Sequence, residues 1–257
     1  MDCFNLESFQ IRKNITGRRK NMKWNKLYEY PKSIRSLINN ARHYDIGEEK
    51  LPSVTTILAA TQSEEKRASL AKWKQKVGEN EAERVKNVAA NRGTAMHTYL
   101  EHHIEGQGIL DLTDIGQEAE RMAKTVIDQG LKDLEEIWGS EVTLYYPGLY
   151  AGATDLCGVY MGRASIVDFK QSNKPKKNEW ITDYKLQMAA YAMAHDQVYG
   201  TDIDQGVILM CTPDCFFQRF IINGKDFRNW KGEWIRRVDQ YYENRERGNE
   251  KENRTDE

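Results

Sequence analysis

Apolar positions recur at helical spacing through the first half of the chain and change to strand-like runs after about residue 140. Ser53, just after Pro52, is placed to cap a short helix that begins Val54-Thr55-Thr56-Ile57-Leu58. Residues 64–77 and 79–105 are rich in Ala, Glu, Lys and Arg, and Gly78 separates them, which predicts two helices. A further helix is expected over about 116–137, with Ala119, Met122, Val126, Leu131 and Leu134 as its buried stripe. Strands follow. Glu141–Tyr146 ends at Pro147-Gly148, and Ala151–Tyr160 with Ala164–Lys170 reads as a hairpin about Met161-Gly162-Arg163. A helix over about 178–199 leads to a second hairpin, Val207–Cys211 with Phe216–Ile222, turning at Thr212-Pro213-Asp214. The last helix, about 225–246, carries Phe227, Trp230, Trp234 and Val238, and 247–257 reads as a polar tail.

This order predicts an α/β fold, a mixed sheet with helices packed against it. The expected division is a basic, disordered tail over 1–26 and one domain over 27–246. Within that domain the helical part covers about 33–137, the sheet core about 139–222 and the closing helix about 225–246.

The 257 residues are enough for a buried core, and 13 Tyr, seven Phe and six Trp argue against wholesale disorder. A formal net charge of −1 excludes a protein-wide basic field, so any nucleic-acid binding must use a local patch or a bound cation. One such patch is the arm holding Arg12, Lys13, Arg18, Arg19, Lys20, Lys23 and Lys26. No run reaches the roughly 18 consecutive apolar residues of a membrane span, and the N-terminus lacks an apolar signal-peptide core. Cys3, Cys157, Cys211 and Cys215 are too sparse for a disulfide scaffold, so a reducing compartment is expected. With Cys3 in the tail and Cys157 in a strand, no iron–sulfur cluster is expected either.

The stretch with chemical content is Gly152-Ala153-Thr154-Asp155, then Ile166-Val167-Asp168-Phe169-Lys170. Asp168 and Lys170 are two apart in a strand and share a face. A turn at Met161-Gly162 sets Asp155 opposite Asp168; a turn at Gly162-Arg163 sets it opposite Lys170. A one-residue slip between the two would put it opposite Phe169 and scatter the group. Two carboxylates facing each other across strands repel unless a cation lies between them, and hard oxygen donors suit Mg²⁺ or Mn²⁺. A lysine beside them can place or deprotonate a water, or balance charge on a phosphoryl oxygen. On the expected 79–105 helix, His97 lies one turn from Glu101, a ligand with a carboxylate behind it. Tyr184, Gln187 and Tyr191 share one side of the 178–199 helix, and Gln187 can bridge a water, a phosphate or the lysine. Lys174, Lys176 and Lys177 follow the catalytic strand and would attract a phosphate backbone, with Trp180 beside them as core or as a base-stacking ring.

From about Leu51 to Ile222 the chain resembles the PD-(D/E)XK nuclease superfamily, in its RecB-like exonuclease branch. Within that branch it is similar to the mitochondrial genome maintenance exonucleases and related phage exonucleases. The resemblance rests on Pro52-Ser53-Val54-Thr55, Arg92-Gly93-Thr94-x-x-His97, Gly152-x-x-Asp155, Asp168-Phe169-Lys170-x-Ser172 and Gln187-x-x-x-Tyr191. It implies a sheet of the αβββαβ type with an N-terminal helical arch. It implies metal ligation by His97, Asp155, Asp168 and the Phe169 carbonyl, with Lys170 as catalytic lysine and Gln187 and Tyr191 in support. Substrate contacts would come from Ser53, Thr55, Arg92, Ser172 and Lys174. The expected activity is that of a Mg²⁺- or Mn²⁺-dependent DNA exonuclease acting on single strands or free ends, with replication or recombination proteins as further partners. The alternatives are an endonuclease, an end-trimming nuclease of a recombination complex, or a silent DNA-binding module. The expected location is the cytoplasm of a bacterium or phage-infected cell, or else the mitochondrial matrix.

Overall fold

The structure, a computed structural model, describes residues 23–255, with side chains through residue 247. The basic residues Arg12, Lys13, Arg18, Arg19 and Lys20, and Cys3, lie outside the described residues. The stretch read as tail reaches into the fold, because Lys23–Trp24 forms a short strand, β1.

Three strands follow where a helical segment was expected: β2 (Ile34–Ile38), β3 (Ala41–Ile46) and β4 (Glu49–Pro52). They form a separate antiparallel sheet in the order β2-β3-β4. Its first turn has Asn39 and Asn40 both at positive φ (50° and 61°), the geometry a two-residue hairpin favours. Tyr44, Ile46 and Leu51 pack this meander onto Ala151.

Ser53 caps α1 (Val54–Ala60), its hydroxyl accepting from the Thr56 amide at 3.0 Å. Helices α2 (Glu64–Val77) and α3 (Glu79–Ile104) part at Gly78, whose φ of 86° no ordinary helical residue adopts. α2 buries none of its residues, and Leu70 and Trp73 lie exposed on it. α4 (Asp114–Gln129) stops short of the expected boundary. A 3₁₀ turn at Leu131–Asp133 then leads straight into β5 (Leu134–Tyr146). Leu131 and Leu134 are buried as predicted, but outside a helix. Two register irregularities, between Leu134 and Glu136 and between Ile137 and Gly139, break the alternation that would have marked β5 as a strand.

The main sheet has the order β1-β5-β6-β7-β8-β9, with β6 (Tyr150–Tyr160), β7 (Arg163–Gln171), β8 (Gln205–Cys211) and β9 (Phe217–Asn223). β5, β6 and β7 pair antiparallel, β7 and β8 parallel, and β8 and β9 antiparallel, so the sheet is mixed as expected. The β7–β8 crossover is α5 (Thr182–Tyr199). The closing helix α6 runs Gly224–Thr255, through the segment read as a polar tail. α3 and α4 cover one face of the sheet around Val167, Phe169, Val207 and Leu209. α5 and α6 cover the other around Ile166, Ile208 and Met210. No described helix is long and apolar enough to cross a membrane.

The α6 anchor is Trp234, fully buried and set edge-on to Tyr150 with ring centres 5.0 Å apart. Trp234→Ala should lower the unfolding free energy by about 3–5 kcal/mol. Urea denaturation followed by circular dichroism measures this, and a loss below about 1 kcal/mol would show that α6 is held by other contacts.

Candidate active site

Tyr160 pairs with Arg163, so the β6–β7 turn is Met161-Gly162, the first of the two possible registers. The ladder runs to Leu156–Val167, and one step further sets Asp155 opposite Asp168. Val167 and Phe169 pack toward α3 and α4, so Asp168 and Lys170 point the other way, toward α5. There the Lys170 ammonium lies 5.2 Å from the centre of the Tyr184 ring and forms an ion pair with Asp168. Asp155 accepts the Phe169 amide proton at 2.6 Å. This bond ties the Phe169 N–H to the site.

His97 arrives from α3 on the opposite layer, edge-on to Phe169, and its Nδ1 lies 3.4 Å from Asp155 Oδ1. The site therefore forms where the two helical layers meet the sheet. Gln187 donates to the Tyr191 hydroxyl at 3.0 Å, a bond that fixes both side chains on α5. The Gly152 of the motif has a steric reason: a Cβ there would lie 2.7 Å from the Tyr191 ring.

Sequence reasoning missed Glu141. In the β5–β6 ladder Ser140 pairs with Leu156 and Val142 with Thr154, which places Glu141 opposite Asp155. Ligand atoms of His97, Glu141 and Asp155 all lie within 4.8 Å of one another. Glu141 also sits at φ 51°, a left-handed conformation costly for a residue with a Cβ in mid-strand. Three adjacent strands thus carry Glu141, Asp155 and Asp168 in one row. Asp168 is not within the tight three-residue group; it closes the row from the lysine side.

The electrostatics follow from the crowding. Burial opposes a charge on His97, but Asp155 overrides it and pushes the imidazole up to about 9. Burial also works against ionised Asp155, and His97, Lys170 and the Phe169 amide together bring it below the usual carboxylate range. Asp168 is held above that range, by burial first and by Asp155, against the pull of Lys170. Glu141, although its side chain is solvent-exposed, is also raised, by desolvation and then by Asp155. Burial disfavours a charged Lys170, but Asp168 and Asp155 keep it protonated. The imidazole and the carboxylate oxygens converge as hard and borderline donors, with Asp155 buried, His97 half-buried and Glu141 exposed. Such a set could hold a divalent metal ion.

The expected substrate contacts fare unevenly. Thr55 is exposed beside the site, whereas Ser53 is buried and its hydroxyl is engaged with Thr55, Thr56 and the α1 cap. Arg92 is held by Glu118 at 2.6 Å and Asn173 at 3.0 Å, so it braces the loop after β7. Ser172 donates to the Lys174 carbonyl at 2.7 Å within that same loop. Lys174 is exposed, and Trp180, 58% exposed, is not core. The Lys177 ammonium stands 5.3 Å from the Trp180 ring centre.

No family model matches the chain. It is similar to mitochondrial genome maintenance exonuclease 1 of Homo sapiens, 26% identical over 212 residues covering 77% of this chain and 60% of that protein. The Xenopus tropicalis protein of the same name is 28% identical over 210 residues, 76% of this chain and 58% of its own. The chain thus spans about 60% of the length of the curated relatives it matches. Among solved structures, one from Eubacterium rectale aligns over 60% of this chain and 64% of its own at 17% identity, with a TM-score of 0.44. Over about three quarters of its length the chain is therefore similar to mitochondrial genome maintenance exonucleases, at 26–28% identity.

Proposed function

We propose that this chain is a divalent-metal-dependent deoxyribonuclease that removes nucleotides from free or single-stranded DNA ends. The observation that carries the reading is the row Glu141, Asp155 and Asp168 with Lys170 beside it and His97 across from it. The homologues' names supply the substrate class and the exonuclease character. They also favour the mitochondrial matrix among the compartments considered.

His97, Glu141, Asp155 and Asp168 would hold the cation. When bound, it would supply a positive charge that lowers the pKa of a nearby water and offsets charge on the scissile phosphate. Lys170, kept protonated by Asp168 and Asp155, serves as a fixed cation toward a phosphoryl oxygen. Tyr184 shields one side of the ammonium and limits where it can point. Gln187, oriented by Tyr191, offers its amide to water or phosphate from the α5 side. Arg92 holds the loop that follows Lys170.

Lys170→Ala should lower cleavage of a labelled single strand by at least about 10²-fold while leaving its binding nearly unchanged. Full activity of that variant, or of the unmodified protein in excess EDTA, would contradict the mechanism. A linear strand should be degraded and a covalently closed circle left intact; nicking of the circle would mark an endonuclease instead.

Glu141→Gln should raise the Mn²⁺ concentration needed for half-maximal activity by roughly 10-fold or more, the scale on which metal-site partners act. An unchanged metal requirement would remove Glu141 from the ligand set.

Metal binding should also expel a proton. His97, raised to about 9, is protonated at pH 7.5 in the metal-free protein, yet only neutral imidazole ligates. Metal affinity should therefore rise with pH up to about 9. Titration calorimetry in two buffers of different ionisation enthalpy reads the proton directly. Net release that disappears in His97→Asn supports the assignment, and no release in the unmodified protein refutes it.

A further inference from the structure

The β2–β4 meander lies outside the catalytic row, yet it walls in the open side of it. Its register pairs Arg35 with Tyr44 and Leu37 with Arg42, so these four side chains share one face. Arg35, Arg42, Tyr44 and Thr55 line one side of a cavity of about 140 Å³, and Glu141, Asp155, Gln187 and Tyr191 line the other. The Arg35 guanidinium sits 5.7 Å from the Tyr44 ring centre. Leu37 is 73% exposed beside them.

Both arginines are exposed, and among the described residues neither forms an ion pair. Arg92, Arg163 and Arg219 are engaged by Glu118, Asp204 and Asp133, while Arg67, Arg121 and Arg228 are, like Arg35 and Arg42, without an ion pair among the described residues. Arg35 acts on the Glu141 charge as a nearby cation, and both guanidinium groups stand on the same wall of the cavity. Two guanidinium groups on a wall facing carboxylates suit an anion that spans the gap between them. The cavity is well below the roughly 300–1,000 Å³ that encloses a whole small molecule, so it takes a phosphate rather than a nucleoside. Guanidinium forks match phosphate oxygens, and an exposed leucine next to them offers an apolar surface to a base.

We propose that Arg35 and Arg42 grip the phosphodiester adjacent to the one cleaved, with Leu37 packing on its base, so that the meander is a clamp for a single DNA strand. This rests on the nuclease reading above and adds to it the residues that hold the strand in place. The apolar anchor of the meander is Tyr44, Ile46 and Leu51 packed with Ala151, and of the two arginines only Arg35 touches it, over the Tyr44 ring.

The test compares the unmodified protein with Arg35→Ala/Arg42→Ala and Arg35→Lys/Arg42→Lys, their folding checked by thermal melting. Fluorescence anisotropy with a labelled oligothymidylate in EDTA reads binding, and initial rates in Mn²⁺ read KM and kcat. The alanine pair should weaken binding about 10-fold or more and reduce the log–log salt slope by about 0.7, one neutralised phosphate on a single strand. Its KM should rise by more than its kcat falls, and the lysine pair should recover part of the affinity. Unchanged affinity, salt slope and KM would overturn the clamp. So would unchanged DNA affinity with a shifted Mn²⁺ requirement, which would make Arg35 a counter-ion to Glu141. If the unmodified protein binds the strand but never cuts it, the nuclease reading fails while the clamp is still decided by the binding arm. If it cuts but binds too weakly in EDTA, KM decides.

Discussion

Three carboxylates from three neighbouring strands face one another in one row, and the rest of the site is arranged around that repulsion. Antiparallel pairing sets the side chains of Glu141, Asp155 and Asp168 side by side. Like charges at such spacing destabilise a sheet unless something answers them. Lys170 answers at one end, His97 near the other, and the Phe169 amide binds Asp155 between them. The answer is incomplete, since Asp168 and Glu141 both remain above the usual carboxylate range. A bound divalent cation would remove the remaining strain, which is why a fold can keep a row that its own stability does not favour.

The surrounding elements hold this row in register. The Met161-Gly162 turn fixes β6 against β7, and a slip of one residue would turn Asp155 away from its partners. α5 comes close enough to seat Tyr191 because position 152 has no Cβ. α3 delivers a histidine from the other layer, so the site depends on both helical layers packing correctly. Precision here comes from strands and helices, the rigid parts of the fold, while the lysines after β7 take no part in holding the row.

Much of this was legible in the residues, and the misses have physical causes. The Asp155–Asp168–Lys170 face followed from strand alternation and a short turn, the two most local constraints a sequence carries. Glu141 was missed although the information was present. Counting back from the Pro147-Gly148-Leu149 turn sets Glu141 opposite Asp155, but the bulges earlier in β5 hid the strand's first half, so Glu141 read as its first residue rather than a mid-strand one. The β2–β4 meander was hidden by its polar composition, and its one clear signal was Asn39-Asn40 between apolar runs. Ser53 and Ser172 carry the right chemistry for phosphate contact, and in the fold their hydroxyls also serve nearby groups: the Thr55 and Thr56 side chains and the Thr56 amide for Ser53, the Lys174 carbonyl for Ser172. Competition of that kind is invisible until the turns around a residue are known.

The central claim is that this row exists to hold a cation. Crystals soaked in Mn²⁺ at pH 7.5 and measured for anomalous scattering address it directly. The account predicts a strong anomalous peak bounded by Asp155, Asp168, Glu141 and His97, absent from crystals of Asp155→Asn. A density map with no peak there, or one whose only peaks lie elsewhere on the protein, would contradict it.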